Sequence, residues 1–99
     1  MHNVLPTPAE RERLQKLIEE CAEAQKEACK ILAHGWSAEF EGVVYDNRGA
    51  LEREVGDIQA ITQKLVASGD LDGRKVTAAR KAKLPELARY MRYQGVSPP

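Results

Sequence analysis

The sequence predicts an all-α domain of long antiparallel helices with a four-helix-bundle-type core, completed by oligomerisation. Two observations carry this. Apolar residues recur at three- and four-residue spacing along two long segments, and no stretch alternates with the period of two that a half-buried strand requires. Composition agrees: 42% of residues are hydrophobic and 30% charged, with one Trp, one Phe and three Tyr, which suits helices better than a β-sandwich. Ninety-nine residues make one domain (1–99) with a limited core. That core is read over about residues 8–93, and 94–99 as a flexible, frayed tail.

The first helix is marked at its start by "TPAE". Thr7 stands as N-cap, Pro8 takes the first helical position, and Glu10 three residues past the cap completes a capping box. Leu14, Leu17, Ile18, Cys21, Ala24, Ala28, Ile31 and Leu32 then recur at helical spacing until His34 and Gly35 close the element. Such a helix runs about 27 residues, or about 40 Å. "GWSAEFEGVVYDNRG" reads as a loop bearing Trp36, Phe40 and Tyr45, with Asn47 as a candidate cap for the next helix. The second helix carries Leu51, Val55, Ile58, Thr62, Leu65 and Val66 on one face and stops at "SGD", Ser68 to Asp70. The basic "GRKVTAARKAK" is helical by composition, Pro85 is expected to kink or restart it, and Tyr90 and Tyr93 are expected to pack it against the bundle.

Net charge is formally zero but unevenly spread. Residues 1–57 hold twelve acids and seven bases, residues 58–99 three acids and eight bases. No single basic field covers the chain, which argues against a nucleic-acid polymer as partner. The split suits a site that gathers cations on one side and phosphates on the other. Cys21 and Cys29, roughly 12 Å apart along one helix, are too far apart for a disulfide and read as small core thiols in a reducing compartment. No signal peptide and no apolar run of roughly 20 residues is visible, so a cytoplasmic protein is expected.

The most informative stretch is "LIEECAEAQK", echoed 34 positions later by "LEREVGDIQA". Glu20/Glu23 and Glu54/Asp57 are acid pairs three residues apart, and such residues are neighbours on a helix surface. At about 100° per residue, Glu20 and Glu54 sit about 60° from Leu17 and Leu51, at the edge of each apolar stripe. Glu54 has only Ala50, Leu51, Asp57 and Ile58 three and four residues away, so no base on its own helix neutralises it. Packing the two helices antiparallel through these stripes brings the pairs onto adjoining edges. Facing carboxylates of this kind call for a cation, and hard oxygen ligands suit Mg²⁺, with Mn²⁺ as a substitute. The competing reading is two solvated, mildly repulsive pairs on helix surfaces.

"EECAE" followed by "EVGD" resembles the E-x-x-E … E-x-x-D signature of the MazG-like all-α nucleoside triphosphate pyrophosphohydrolases. The likeness extends over roughly residues 10–93: a long helix into the first motif, an aromatic "HGW" loop between, and basic "ARKAKLPELARYM" after the second. One departure is the 30 residues between Glu23 and Glu54, long for that family, with the extra length in the aromatic loop. The resemblance implies that Glu20, Glu23, Glu54 and Asp57 are the metal ligands and catalytic acids, that Glu19 is a supporting acid, and that Mg²⁺ is the cofactor. It implies hydrolysis of a (d)NTP to the (d)NMP and pyrophosphate by water attack at the α-phosphorus, with a carboxylate such as Glu23 as general base. Lys83, Arg80 and Lys81 are then expected to bind phosphate, and Trp36, Phe40 and Asn47 the base. His34 reads as a helix-end residue, and His2 as a bystander near the terminus.

Two long helices and a short basic one leave apolar faces for a partner to cover. A homodimer or homotetramer is therefore expected, as the resemblance also implies. The alternatives are a non-catalytic helical interaction module, in which the acid pairs are incidental, and a regulator that binds nucleotide without turnover.

Overall fold

Local signals set the helix ends. In a computed structural model that describes residues 4–94, three helices follow one another: α1 (Pro8–His34), α2 (Asn47–Ala67) and α3 (Gly73–Tyr90). The expected frayed tail falls, apart from Gln94, outside the described residues, as does His2. The capping box forms at α1: Thr7 Oγ1 accepts the Glu10 N–H at 3.2 Å and the Glu10 carboxylate accepts the Thr7 N–H at 2.7 Å. Gly35, with φ at +92°, ends the helix and returns its N–H to the Ile31 carbonyl.

The cap of α2 lies one residue earlier than expected. Asp46, not Asn47, accepts the Gly49 N–H (2.8 Å), and Asn47 is the first residue of the helix. Freed from capping, the buried Asn47 side chain reaches back across the loop and donates to the Gly35 carbonyl at 3.1 Å. Its own N–H goes to Ala38, and the Arg48 N–H to Trp36, so the 35–46 loop is tied to the start of α2.

Helices α1 and α2 form an antiparallel hairpin, and α3 barely touches it. Ile31 and Leu65 are its buried apolar side chains, flanked by half-buried Leu17, Ala24, Ile58 and Ile61. At the far end, Arg13 clamps the hairpin to the turn before α3 through a two-pronged pair with Asp70 (2.5 and 3.0 Å). Those hydrogen bonds hold the Asp70 carboxyl below its usual range. A depressed carboxyl contributes stability above its unfolded value and loses it as pH falls through the folded one. Acid unfolding of Asp70→Asn, followed by circular dichroism, should therefore lack a component below about pH 4 that the parent shows.

Three expectations about packing are corrected. Leu14, Ile18, Cys21 and Leu32 do not join the buried stripe: Ile18 is 68% and Leu32 87% exposed. Cys21 and Cys29 are both surface thiols rather than core ones. Tyr90 and Tyr93 are exposed rather than packed on the hairpin. Helix α3 continues through Pro85 without restarting. No residue of α3 is buried, so water can take the carbonyl that Pro85 leaves without a donor.

The chain is accordingly all-helical among the described residues but thinly packed. Its accessible surface is 8464 Å², against the roughly 5,600 Å² expected of a folded 11.0 kDa monomer. Its radius of gyration is 16.9 Å, against about 13 Å for a compact chain of this length. Three helices are present among the described residues, so no four-helix core is formed there within one chain. No helix among the described residues is long and apolar enough to cross a membrane.

Candidate metal centre

The hairpin places the two acidic motifs opposite one another, as antiparallel packing requires. One carboxylate oxygen each from Glu20, Glu54 and Asp57 lies within 4.8 Å of the other two, and all three residues are half-buried. Glu20 comes from α1, and Glu54 and Asp57 sit three apart on the facing side of α2. The Oε2 of Glu54 is buried and, while the neighbouring carboxylates are ionised, has no hydrogen-bond partner; a proton on Glu54 is shared with Glu20. A buried anionic oxygen left bare is costly, so such an atom is neutralised by a proton or by a cation.

The electrostatics agree. Burial, first, and then the neighbouring carboxylate of Glu20 hold the Glu54 carboxyl above its usual range, with Asp57 and Glu23 adding to the push. Glu23, the fourth acid of the pattern, is exposed and does not join the cluster. At about 100° per residue it stands about 60° from Glu20, turned away from α2 toward solvent. It acts on the site through its charge.

Beside the three acids, the hairpin surface opens into a shallow depression lined by Lys16, Glu20, Asp57, Ala60, Ile61 and Lys64. Lys16 lies 3.6 Å from Glu20 and 3.5 Å from Glu19, and Glu19 foremost, then Glu20, strengthens its hold on its proton. Sequence reasoning passed over both lysines. The signal was present: Lys16 is one turn before Glu20, and Lys64 is two turns beyond Asp57 on the same face.

The residues expected to bind phosphate lie elsewhere in the chain. Lys83 pairs with Glu86 on its own helix at 3.6 Å, Lys81 lines a depression of α3 with Arg74 and Thr77, and Arg80 is exposed. None of them lines the depression beside the acid cluster, and α3 makes little contact with the hairpin. Of the expected base-binding set, Trp36 is half exposed with the Arg48 guanidinium 4.5 Å over its ring. Phe40 meets the His34 ring edge-on at 5.6 Å. Asn47 is committed to Gly35.

The donor set fits a hard divalent cation: carboxylate oxygens only, from two helices, with one buried oxygen left unpartnered. No known family, characterised protein or solved structure matches the chain.

Proposed function

We propose that this chain is a divalent-metal-dependent nucleoside triphosphate pyrophosphohydrolase, of the kind its motifs resemble. The observation that carries the reading is the meeting of Glu20, Glu54 and Asp57 around the bare, buried oxygen of Glu54. These three would hold Mg²⁺, with Mn²⁺ as a substitute. When bound, the ion supplies charge neutralisation at phosphate oxygens and acidifies a water.

The rest falls to the chain's own groups. Lys16 and Lys64, at the mouth of the acid cluster, offer positive charge to a polyphosphate that carries its own negative charge into an acidic site. Their position favours them over Arg80, Lys81 and Lys83 as phosphate contacts of the same chain. A carboxylate of the cluster, or Glu23 at its rim, accepts the proton of the water that attacks the α-phosphorus. The α–β bridging oxygen then departs with pyrophosphate, leaving the monophosphate. Trp36 and Phe40 present exposed rings on the loop joining the two motif-bearing helices, where a base could stack.

The protein is further proposed to act in the cytoplasm as a homodimer or homotetramer whose hairpins complete a four-helix core. The test of the chemistry is pyrophosphate release from a panel of ribo- and deoxynucleoside triphosphates with Mg²⁺, with Mn²⁺ and with EDTA. Metal-dependent turnover to monophosphate and pyrophosphate is expected. Silence across the panel from a folded protein indifferent to divalent ions sinks the proposal, and tight nucleotide binding without turnover replaces the enzyme with a regulator.

A further inference from the structure

Lys16 is placed to do more than offer charge to a phosphate. At about 100° per residue it stands on α1 between two acids, about 40° from Glu20 on one side and about 60° from Glu19 on the other. Its ammonium lies 3.6 Å from Glu20 and 3.5 Å from Glu19. Both distances exceed the roughly 2.7–2.9 Å of a charge-assisted hydrogen bond, so the ammonium is shared by two carboxylates and fastened to neither. The two acids differ in setting. The Glu20 side chain is 13% exposed and belongs to the acid cluster, whereas that of Glu19 is 63% exposed and lies outside it. A flexible four-carbon stem lets Lys16 pass from one to the other by rotation about its own bonds.

Glu20 therefore has two claimants. The carboxylate that Lys16 touches is the one that α1 contributes to the cluster. A divalent ion on that carboxylate and an ammonium beside it are like charges, and their repulsion is screened least where the side chain is covered. Glu19 gives the ammonium a second partner at little cost, since ion pairs at exposed carboxylates are weak. The way there is open. Lys16, Ile61 and Lys64 line both the depression that holds Glu20 and Asp57 and an adjoining one that holds Glu19.

We infer that Lys16 is the resident counter-ion of the acid cluster: it neutralises Glu20 until a divalent cation arrives, is displaced by that cation toward Glu19, and so becomes free to meet the phosphates of the substrate. One lysine then acts on the two ligands with opposite sign. It weakens metal binding by competing for Glu20, and it strengthens nucleotide binding once the metal has released it. The same exchange makes metal the ligand that prepares the site for nucleotide. This inference rests on the metal centre proposed above and concerns its regulation, not the reaction assigned to it.

The test is Mn²⁺ binding by the full-length protein at low ionic strength and neutral pH, without nucleotide, read from the electron paramagnetic resonance signal of the free ion. Lys16→Met should bind Mn²⁺ at least about threefold more tightly than the parent, the scale of one weakly screened charge. Lys16→Arg keeps the charge and should stay within about twofold of the parent. Lys64→Met removes an equal charge from the same depression, from a lysine that makes no ion pair among the described residues, and should gain less. Raising the salt to about 0.5 M should shrink the gain of Lys16→Met. Lys16→Gln removes the same charge should the methionine variant fail to fold. In turnover assays, Lys16→Met should raise KM for nucleotide even as it holds the metal more tightly.

Mn²⁺ affinity unchanged in Lys16→Met overturns the inference and leaves a plain phosphate contact. A weakened affinity overturns it as well, leaving a lysine that only holds Glu20 in shape. An equal gain from Lys64→Met has the same force, because any nearby charge would then do. A parent that binds no Mn²⁺ removes the metal centre and this inference with it. A parent that binds Mn²⁺ and releases no pyrophosphate loses only the proposed reaction, and the Mn²⁺ titrations still decide the role of Lys16.

Discussion

Glu54→Gln should stabilise the metal-free protein at neutral pH while lowering metal-dependent turnover by at least about a hundredfold, the scale on which one charge-stabilising group acts. The two effects share one cause. Glu54 keeps a buried oxygen among three clustered carboxylates, and burial followed by the closeness of Glu20 raises its pKa. Between its unfolded and folded values the native state keeps a proton that the unfolded chain has released. Stability therefore falls as pH rises across that window, and a raised carboxyl is a liability at neutral pH when no cation is present. Glutamine has nearly the same shape and carries no charge. Thermal melts in EDTA should show the parent losing stability as pH rises above the ordinary glutamate value, about 4.3, and the variant lacking that slope. Adding Mg²⁺ near pH 7.5 should raise the midpoint of the parent and leave that of the variant nearly unmoved. A parent that is flat with pH and indifferent to Mg²⁺ would reduce the acid cluster to a surface accident. The Glu54 window lies above its ordinary carboxyl value and the Asp70 window below its own, so one pH series separates the two residues.

The ends of the helices were legible because the signals are local. "TPAE", "HG" and "SGD" act within four residues of themselves, and no tertiary contact can easily override a capping box or a glycine at positive φ. The slip at the start of α2 came from two adjacent residues of equal capping merit. Asp46 and Asn47 both suit an N-cap, and the choice was made by a contact 12 residues away, where Asn47 satisfies the Gly35 carbonyl.

What spacing could not show was which part of a broad apolar face meets the chain's own second helix. Leu17 and Ile18 are adjacent in sequence and both belong to that face of α1, yet one is half-buried in the hairpin and the other open to solvent. The same ambiguity governs the acids. Glu20 and Glu23 look equivalent in a motif, but about 60° of rotation puts one in the seam and the other at its rim. Lys16 and Lys64 stand singly on separate helices and meet at one depression only when the hairpin closes, whereas the basic run of α3 is dense in sequence but lies away from the acids.

Leu65→Ala should cost about 2–5 kcal/mol of folding free energy, a large share of what so lightly packed a chain can hold. Among the described residues Leu65 is the one side chain with no exposed surface, and it anchors more than its own volume. The Leu65 carbonyl accepts the N–H groups of Asp70 (2.9 Å) and, more loosely, Leu71 (3.4 Å). Those bonds set the turn from which Asp70 reaches Arg13 on α1. Truncation leaves a cavity beside Ile61 on the face of α2 that also carries Asp57; the carbonyl and its two bonds remain, but the helix end that presents the turn loses the packing that holds it. Urea denaturation should show a lower midpoint, and Ile61→Ala, already partly solvated, should cost less. Combining Leu65→Ala with Asp70→Asn should cost less than the two singly, because each loosens the same clamp. Strict additivity would mean that the packing of Leu65 and the Arg13–Asp70 pair hold the hairpin independently.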